Sequence, residues 1–138
     1  MNNEYNTLLM IKPDAIRNKV AGDIISMLEK NFYIKDIFFI KFNRSLAEEF
    51  YIEHLHKNFY KELVDFIISS KVLVLIIQGN ENVVTELREF VGHTDFKQAN
   101  PKSIRGSFAT SLTENAVHAS DSFESFTREL SVISKGLL

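Results

Sequence analysis

The chain has 138 residues, 45% hydrophobic and 25% charged, with a formal net charge of -2. That suffices for one domain, residues 1–138, with a real core and an ordinary soluble composition, and it gives no general pull toward nucleic acid. There is no cysteine, so disulfides and thiol chemistry are excluded and the usual structural zinc sites are removed.

The longest apolar run, Val72–Ile77, is far too short to span a bilayer. The start Met1-Asn2-Asn3-Glu4 lacks the basic residues and apolar stretch of a signal peptide. A cytoplasmic protein without a membrane partner is the expectation.

Thr7–Ile11 reads as a buried strand, broken by Lys12-Pro13-Asp14-Ala15 because proline removes a donor and keeps Lys12 extended. Ile24, Ile25, Leu28 and Phe32 give helical spacing over Val20–Asn31. Tyr33–Phe42, rich in β-branched and aromatic residues, reads as a strand. Ser45, with Glu48 three residues on, is the predicted cap of the next helix. A further helix runs from about Tyr60 to Ser69, then the strand Val72–Gln78, then a helix over Asn82–Phe90. His93–Leu112 is polar and irregular, about 20 residues, and a loop of that length in a compact domain is usually functional. Asn115–His118 returns to extended structure. Ser120 or Asp121 is the predicted cap of a last helix, with Glu124 placed for a capping box. The order β-α-β-α-α-β-α-loop-β-α predicts an α+β fold: a ferredoxin-like sandwich whose four-stranded antiparallel sheet carries helices on one face.

His118 stands just before that last helix, with no second histidine nearby at metal-ligand spacing. From this alone it is either a packing residue or a nucleophile. The following amides form a positive helix end, which favours neutral imidazole and can help hold a phosphate. Glu129, two turns along, can accept a hydrogen bond from the ring, or it is a solvated helix-face charge. Lys12 ends a buried strand, Arg88 lies on a predicted helix, and Arg105 lies in the long loop. Each alone reads as a surface charge, and together with a reactive histidine they read as a phosphate cradle. Neither a Gly-x-x-x-x-Gly-Lys nor a Gly-x-Gly-x-x-Gly loop is present, so a bound nucleotide must be held by side chains. Phe59 can stack on a base, and core packing accounts equally well for Tyr51, Phe59 and Tyr60. His54, His56 and His93 show no metal pattern.

In register, these residues form a pattern. Asn115-Ala116-Val117-His118-Ala119-Ser120-Asp121, Ile11-Lys12-Pro13-Asp14, Ile104-Arg105-Gly106 and the pair Glu124 and Glu129 make the chain resemble a nucleoside diphosphate kinase from Thr7 to about Leu130. The resemblance implies transfer of the terminal phosphate of a nucleoside triphosphate, typically ATP, to a nucleoside diphosphate by a ping-pong route through phosphorylated His118, maintaining NTP and dNTP pools. It implies catalytic roles for His118, Lys12, Glu129 and Tyr51. Lys12, Tyr51 and Arg105 contact the transferred phosphate, Arg88 and Thr94 the inner phosphates, and Lys12 and Asn115 the ribose. Phe59 stacks on the base with Leu63 nearby. No protein metal site is implied, and Mg²⁺ arrives on the nucleotide. The implied partners are nucleoside tri- and diphosphates, with no nucleic acid required, and further copies of the chain in a homo-oligomer, hexamer or tetramer.

The chain departs from the family pattern at several positions. Ala119 and Lys57 stand where glycine and arginine are common. Ser107 replaces an aspartate, Asp95-Phe96 an Asn-Pro pair, and Lys102 a glycine, all in the long loop. The chain ends at Leu138 without the longer aromatic tail of many members. A fold-retaining regulatory module is the alternative these changes raise. A nucleic-acid-binding domain of the same fold is opposed by the net charge.

Overall fold

A computed structural model describes residues 4–137. Met1–Asn3, where most of the signal-peptide reading falls, and Leu138 lie outside the described residues. Strand β1 (Tyr5–Ile11) leads into the short helix α1 (Pro13–Arg17) and then α2 (Ala21–Asn31). Strand β2 (Tyr33–Ile40) is followed by α3 (Arg44–Phe50), a 3₁₀ turn at Ile52–His54 and α4 (Tyr60–Ile67). Strand β3 (Val72–Gly79) leads to α5 (Val83–Val91), a second 3₁₀ turn at Phe96–Gln98 and α6 (Ile104–Phe108). Strand β4 (Val117–Ala119) and α7 (Phe123–Lys135) complete the order.

The sheet runs β2-β3-β1-β4, each neighbour antiparallel, with Leu9 opposite Leu75 and Met10 opposite His118. The expected four-stranded ferredoxin-like sheet is present, but helices cover both faces. Leu8, Met10, Val72, Val74 and Ile76 pack with residues of α3, α4 and α7. Leu9, Ile11, Leu73, Leu75 and Ile77 face the other way, onto α2, α5 and α6. The central strands are apolar at successive positions rather than alternating, the pattern of strands buried on two sides. Among the described residues no helix is long and apolar enough to cross a membrane.

Local differences from the predicted elements have local causes. Pro13 opens α1 as its first residue, where its missing N–H costs nothing. Asn43 caps α3, its Oδ1 accepting from Leu46 N–H at 2.8 Å, so Ser45 lies inside the helix. Ser122 caps α7, accepting from Ser125 N–H at 3.0 Å, and Glu124 is no part of a capping box. The Ser120 hydroxyl is unavailable for that cap because it donates to Glu129. The stretch His93–Leu112 is not structureless. Ser103 caps α6, accepting from Gly106 N–H at 3.0 Å, and a five-residue helix is too short to show a hydrophobic period.

Candidate active site

Four segments meet at one end of the sheet around a cavity of about 630 Å³. The end of β1 brings Lys12, and the α3–α4 hairpin brings Tyr51, Phe59 and Leu63. Helix α5 and the long loop bring Arg88, Thr94 and Arg105, and the last crossover brings Asn115 and His118. Every residue given a catalytic or nucleotide-binding role from the sequence lines this cavity except Glu129, which stands behind His118.

The His118 Nε2 lies 3.0 Å from Glu129 Oε1. The same carboxylate oxygen accepts the Ser120 hydroxyl at 2.6 Å, and the Arg128 guanidinium is 3.7 Å from Oε2. Burial alone raises the Glu129 carboxyl, but His118, Ser120 and Arg128 together outweigh it and hold the group below the ordinary glutamate range. An ionised acceptor at Nε2 makes that nitrogen the donor, and the lone pair of a neutral ring then lies on Nδ1. The ring is wedged edge-on against Phe50 at 5.1 Å and Tyr51 at 6.5 Å between centroids. Helix α7 begins two residues later than Asp121, so it acts on the ring through Glu129 in its second turn.

Lys12 is 3% exposed. Its ammonium donates to the Thr113 carbonyl at 2.6 Å and to Asn115 Oδ1 at 3.0 Å. Burial lowers its pKa to about 8; Asp14 and Glu114 oppose that shift and Arg105 adds to it. Arg105 is nearly as buried. It donates to the Gly92 and Val117 carbonyls at 3.2 and 2.9 Å, while its Nε has no partner. Burial and then the Arg88 charge lower it to about 10. Arg88 donates to the Ala119 carbonyl at 3.0 Å and pairs with Asp121 at 2.7 Å. Three cations with donors to spare line one wall, an arrangement suited to a chain of phosphates. Burial, reinforced by Glu129, raises the Tyr51 phenol and keeps it a donor.

Phe59 sits at the mouth, 40% exposed. Its ring lies 5.7 Å from that of His54 and 5.6 Å from the Lys57 ammonium. A half-exposed aromatic beside a basic cavity is a surface on which a flat base can stack.

The altered loop folds through its own polar residues. Asp95 caps the second 3₁₀ turn at Lys97 N–H, 3.0 Å. Lys102 N–H donates to Asn100 Oδ1 at 2.9 Å, and Ser107 Oγ donates to the Pro101 carbonyl at 3.1 Å. Gly92 supplies the positive φ of 97° that turns the chain out of α5. Arg105 thereby reaches the cavity with the unusual residues in place.

Some residues on the site escaped the sequence reading. Ser120 and Asp121 were candidate caps; one holds Glu129 and the other pairs with Arg88. Leu112, 65% exposed, and Thr113 line the cavity from the end of the long loop. A lone exposed leucine in a polar stretch was the available signal. His54, set aside for want of a metal pattern, also lines the cavity. No group of three or more His, Asp or Glu side chains suited to a metal ion occurs among the described residues.

Residues 5–136 match the family model of nucleoside diphosphate kinase. A nucleoside diphosphate kinase of Lawsonia intracellularis is 47% identical over 126 residues, 91% of each chain. One from Sulfurisphaera tokodaii is 43% identical over 130 residues, covering 94% of this chain and 88% of that one. The crystal structure of the Aquifex aeolicus nucleoside diphosphate kinase superposes with a TM-score of 0.87 at 35% identity, covering 96% of this chain and 98% of its own. That of Encephalitozoon cuniculi gives 0.85 at 29% identity, over 92% and 86%. The chain therefore belongs to the nucleoside diphosphate kinase family, and its activity is the transfer of phosphate between nucleotides.

Proposed function

We propose that residues 1–138 act as one catalytic unit in which His118 Nδ1 attacks the terminal phosphorus of a nucleoside triphosphate. The bond to the leaving oxygen breaks, the diphosphate departs, and a second diphosphate takes the phosphoryl group back by the reverse path. The observation that carries this reading is the 3.0 Å contact of Nε2 with Glu129 beside the wall of Lys12, Arg88 and Arg105. Phosphoryl transfer asks mainly for alignment and charge stabilisation, and a fixed ring facing three cations supplies both.

Lys12, Arg105 and the Tyr51 hydroxyl are assigned to the transferred phosphate, Arg88 and Thr94 to the inner phosphates, and Lys12 with Asn115 to the ribose. Phe59 stacks on the base. Stacking reads a π face that every base has, so broad nucleoside tolerance follows. The wall is basic, so Mg²⁺ fits as an ion held by phosphate oxygens, where it neutralises charge on the phosphate chain. Tyr33, Ile37 and Phe39 are 65, 45 and 58% exposed on β2, an edge strand. An apolar edge of this kind suits pairing with further copies of the chain, in a hexamer or tetramer. The working location is the cytoplasm, and the substrates are free nucleotides.

The test is to mix the protein with labelled ATP and Mg²⁺ and characterise the phosphoprotein. Acid-labile, base-stable label is expected on the wild type and none on His118→Ala. Unlabelled wild type, or a labelled alanine variant, rules the mechanism out.

A further inference from the structure

The turn that delivers His118 is held in a conformation its own residue disfavours. Ala116 is fully buried with φ 74°, and Val117 N–H donates to the Asn115 carbonyl at 2.9 Å. A bond from residue i+2 back to residue i across a centre near φ +75° marks the rarer, strained γ-turn. Alanine has a Cβ that opposes positive φ and no polar group to offset it. Such a residue persists only where its surroundings over-determine it.

Two groups at the β1–α1 junction do that here. Lys12 N–H donates to the Ala116 carbonyl at 2.9 Å. Ala116 N–H donates to Asp14 Oδ2 at 3.0 Å. The peptide groups on either side of the strained Cα are thus both gripped from a segment about 100 residues away in the chain.

Asp14 is an unexpected residue for packing alone. It is 1% exposed, and its Oδ1 has no partner. A buried carboxylate with an unsatisfied oxygen costs stability. The Lys12 charge and the Asp14 and Ala15 amides also act on this carboxyl, and the Ala116 amide is the partner it reaches across the fold.

We propose that Asp14 is a positioning residue for phosphoryl transfer: it holds the strained Ala116 turn, from which Asn115 and His118 both enter the cavity. Relaxation of Ala116 to negative φ would disturb four things together. Val117 and His118 would leave their register opposite Ile11 and Met10. The Val117 carbonyl would move from Arg105, and Asn115 Oδ1 from the Lys12 ammonium. The His118 ring would lose its line to Glu129. The inference rests on His118 as the phosphate acceptor.

The experiment compares wild type, Asp14→Ala, Asp14→Asn and the double variant Asp14→Ala with Ala116→Gly. Single-turnover phosphorylation by ATP and Mg²⁺, steady-state kcat and KM, and the proton resonance of His118 Nε2–H are measured on the folded fraction. Asp14→Ala is expected to slow phosphorylation on the order of 100-fold, the scale of a 1 Å misplacement, with a smaller change in KM. The Nε2–H resonance should shift or broaden away. Asp14→Asn keeps an acceptor for the Ala116 amide and should label within about fivefold of wild type near pH 7. Glycine accepts positive φ without strain, so the double variant should regain roughly tenfold or more of the lost rate.

A purely structural role for Asp14 predicts lower melting temperatures with an unchanged labelling rate per folded molecule and an unchanged resonance, and that result overturns the proposal. If Asp14→Ala does not fold, the wild type still decides. Its Ala116 amide must resist exchange and shift as Asp14 titrates, and exchange at a solvent-exposed rate overturns the proposal. Wild type that takes no phosphate on His118 sinks the reading beneath it instead.

Discussion

His118 Nε2 and Glu129 Oε1 stand 3.0 Å apart, and the Ser120 hydroxyl occupies the same carboxylate oxygen at 2.6 Å. Glu129 is therefore fixed from two sides before it touches the ring. Its ionisation, and not the start of α7, selects which imidazole nitrogen is free. The orientation of the His118 ring is set from a buried helix residue eleven positions away.

That relationship predicts the behaviour of Glu129→Gln. The amide keeps the shape and loses the charge that defines the ring's donor. We expect kcat to fall on the order of 100-fold with KM little changed, because ring alignment matters to the transition state and not to nucleotide binding. Ser120→Ala should be milder in rate and cost about 1–3 kcal/mol of stability, the scale of a bond to a buried charge. The folded-state pKa of Glu129 lies below its ordinary 4.5. Its stabilisation is thus complete above the unfolded pKa and is lost as pH falls through the folded one. Acid unfolding of wild type and Glu129→Gln, followed by circular dichroism, checks the sign. A Gln variant with the wild-type acid transition contradicts it.

Gly106→Ala tests whether the altered loop delivers Arg105. A Cβ at Gly106 would lie 2.0 Å from the Asn100 carbonyl oxygen and 3.0 Å from Pro101 Cα, both backbone atoms that cannot rotate away. Overpacking of this kind costs about 1–3 kcal/mol. The backbone that yields is the one carrying Arg105, so phosphate exchange should fall further than stability does. Thermal melting and exchange assays on the same sample separate the two. Retention of full exchange rate would detach Arg105 from the loop's geometry.

Much of this site was legible in the chain because its chemistry is local. Lys12 at a strand end, Arg105 beside a glycine, and His118 before a serine-rich cap are readable one by one, and the spacing of Asn115 to Asp121 ties them together. The two-sided helix cover was less legible. The runs Leu8–Ile11 and Val72–Ile77 signal burial on both faces, but they do not say which helix goes to which face. Two features depended on contacts across the fold, and a third on the length of its element. Ser120 reads as a cap until Glu129 takes its hydroxyl. Asp14 reads as the end of a motif until the Ala116 amide reaches it. Helix α6 is too short for any periodicity, and only its Ser103 cap marks it.

Phe59→Ala should raise KM for every nucleotide and leave kcat nearly unchanged. The ring is half-exposed on the cavity that His118 also lines, and its assigned contact is with the base and not with the transferred phosphate. Base–aromatic stacking is worth about 1–3 kcal/mol per base, so a rise of roughly 5- to 100-fold is expected for purines and pyrimidines alike. Steady-state kinetics with several diphosphates is the check. A drop confined to kcat, or to a single base, would remove Phe59 from the stacking role.

The β2 edge gives a prediction about assembly. Tyr33 and Phe39 expose 65 and 58% of their surface on an edge strand. Phe39→Lys places a charge there, the device by which edge strands avoid pairing. Light scattering should report a smaller particle for the variant than for wild type, with unchanged circular dichroism. Equal masses would place the interface on another surface.

Lys12 couples pH to binding and to stability in opposite directions. Burial brings its pKa from 10.5 to about 8. Between those values the unfolded chain holds a proton that the folded chain lacks, so this group makes stability rise with pH across that window. The same deprotonation removes the ammonium assigned to the phosphate. Because kcat/KM reports the free enzyme, it should fall by about tenfold per pH unit above the Lys12 pKa. Arg105, with a pKa of about 10, stays charged over most of that range and cannot account for the limb. In Lys12→Met the alkaline limb should vanish from an already reduced kcat/KM, and the melting temperature should lose its rise above pH 8. Profiles of kcat/KM and melting temperature from pH 6 to 9.5 decide it. A wild-type kcat/KM that stays flat to the top of that range takes Lys12 out of the phosphate contacts, whatever the melting curve does.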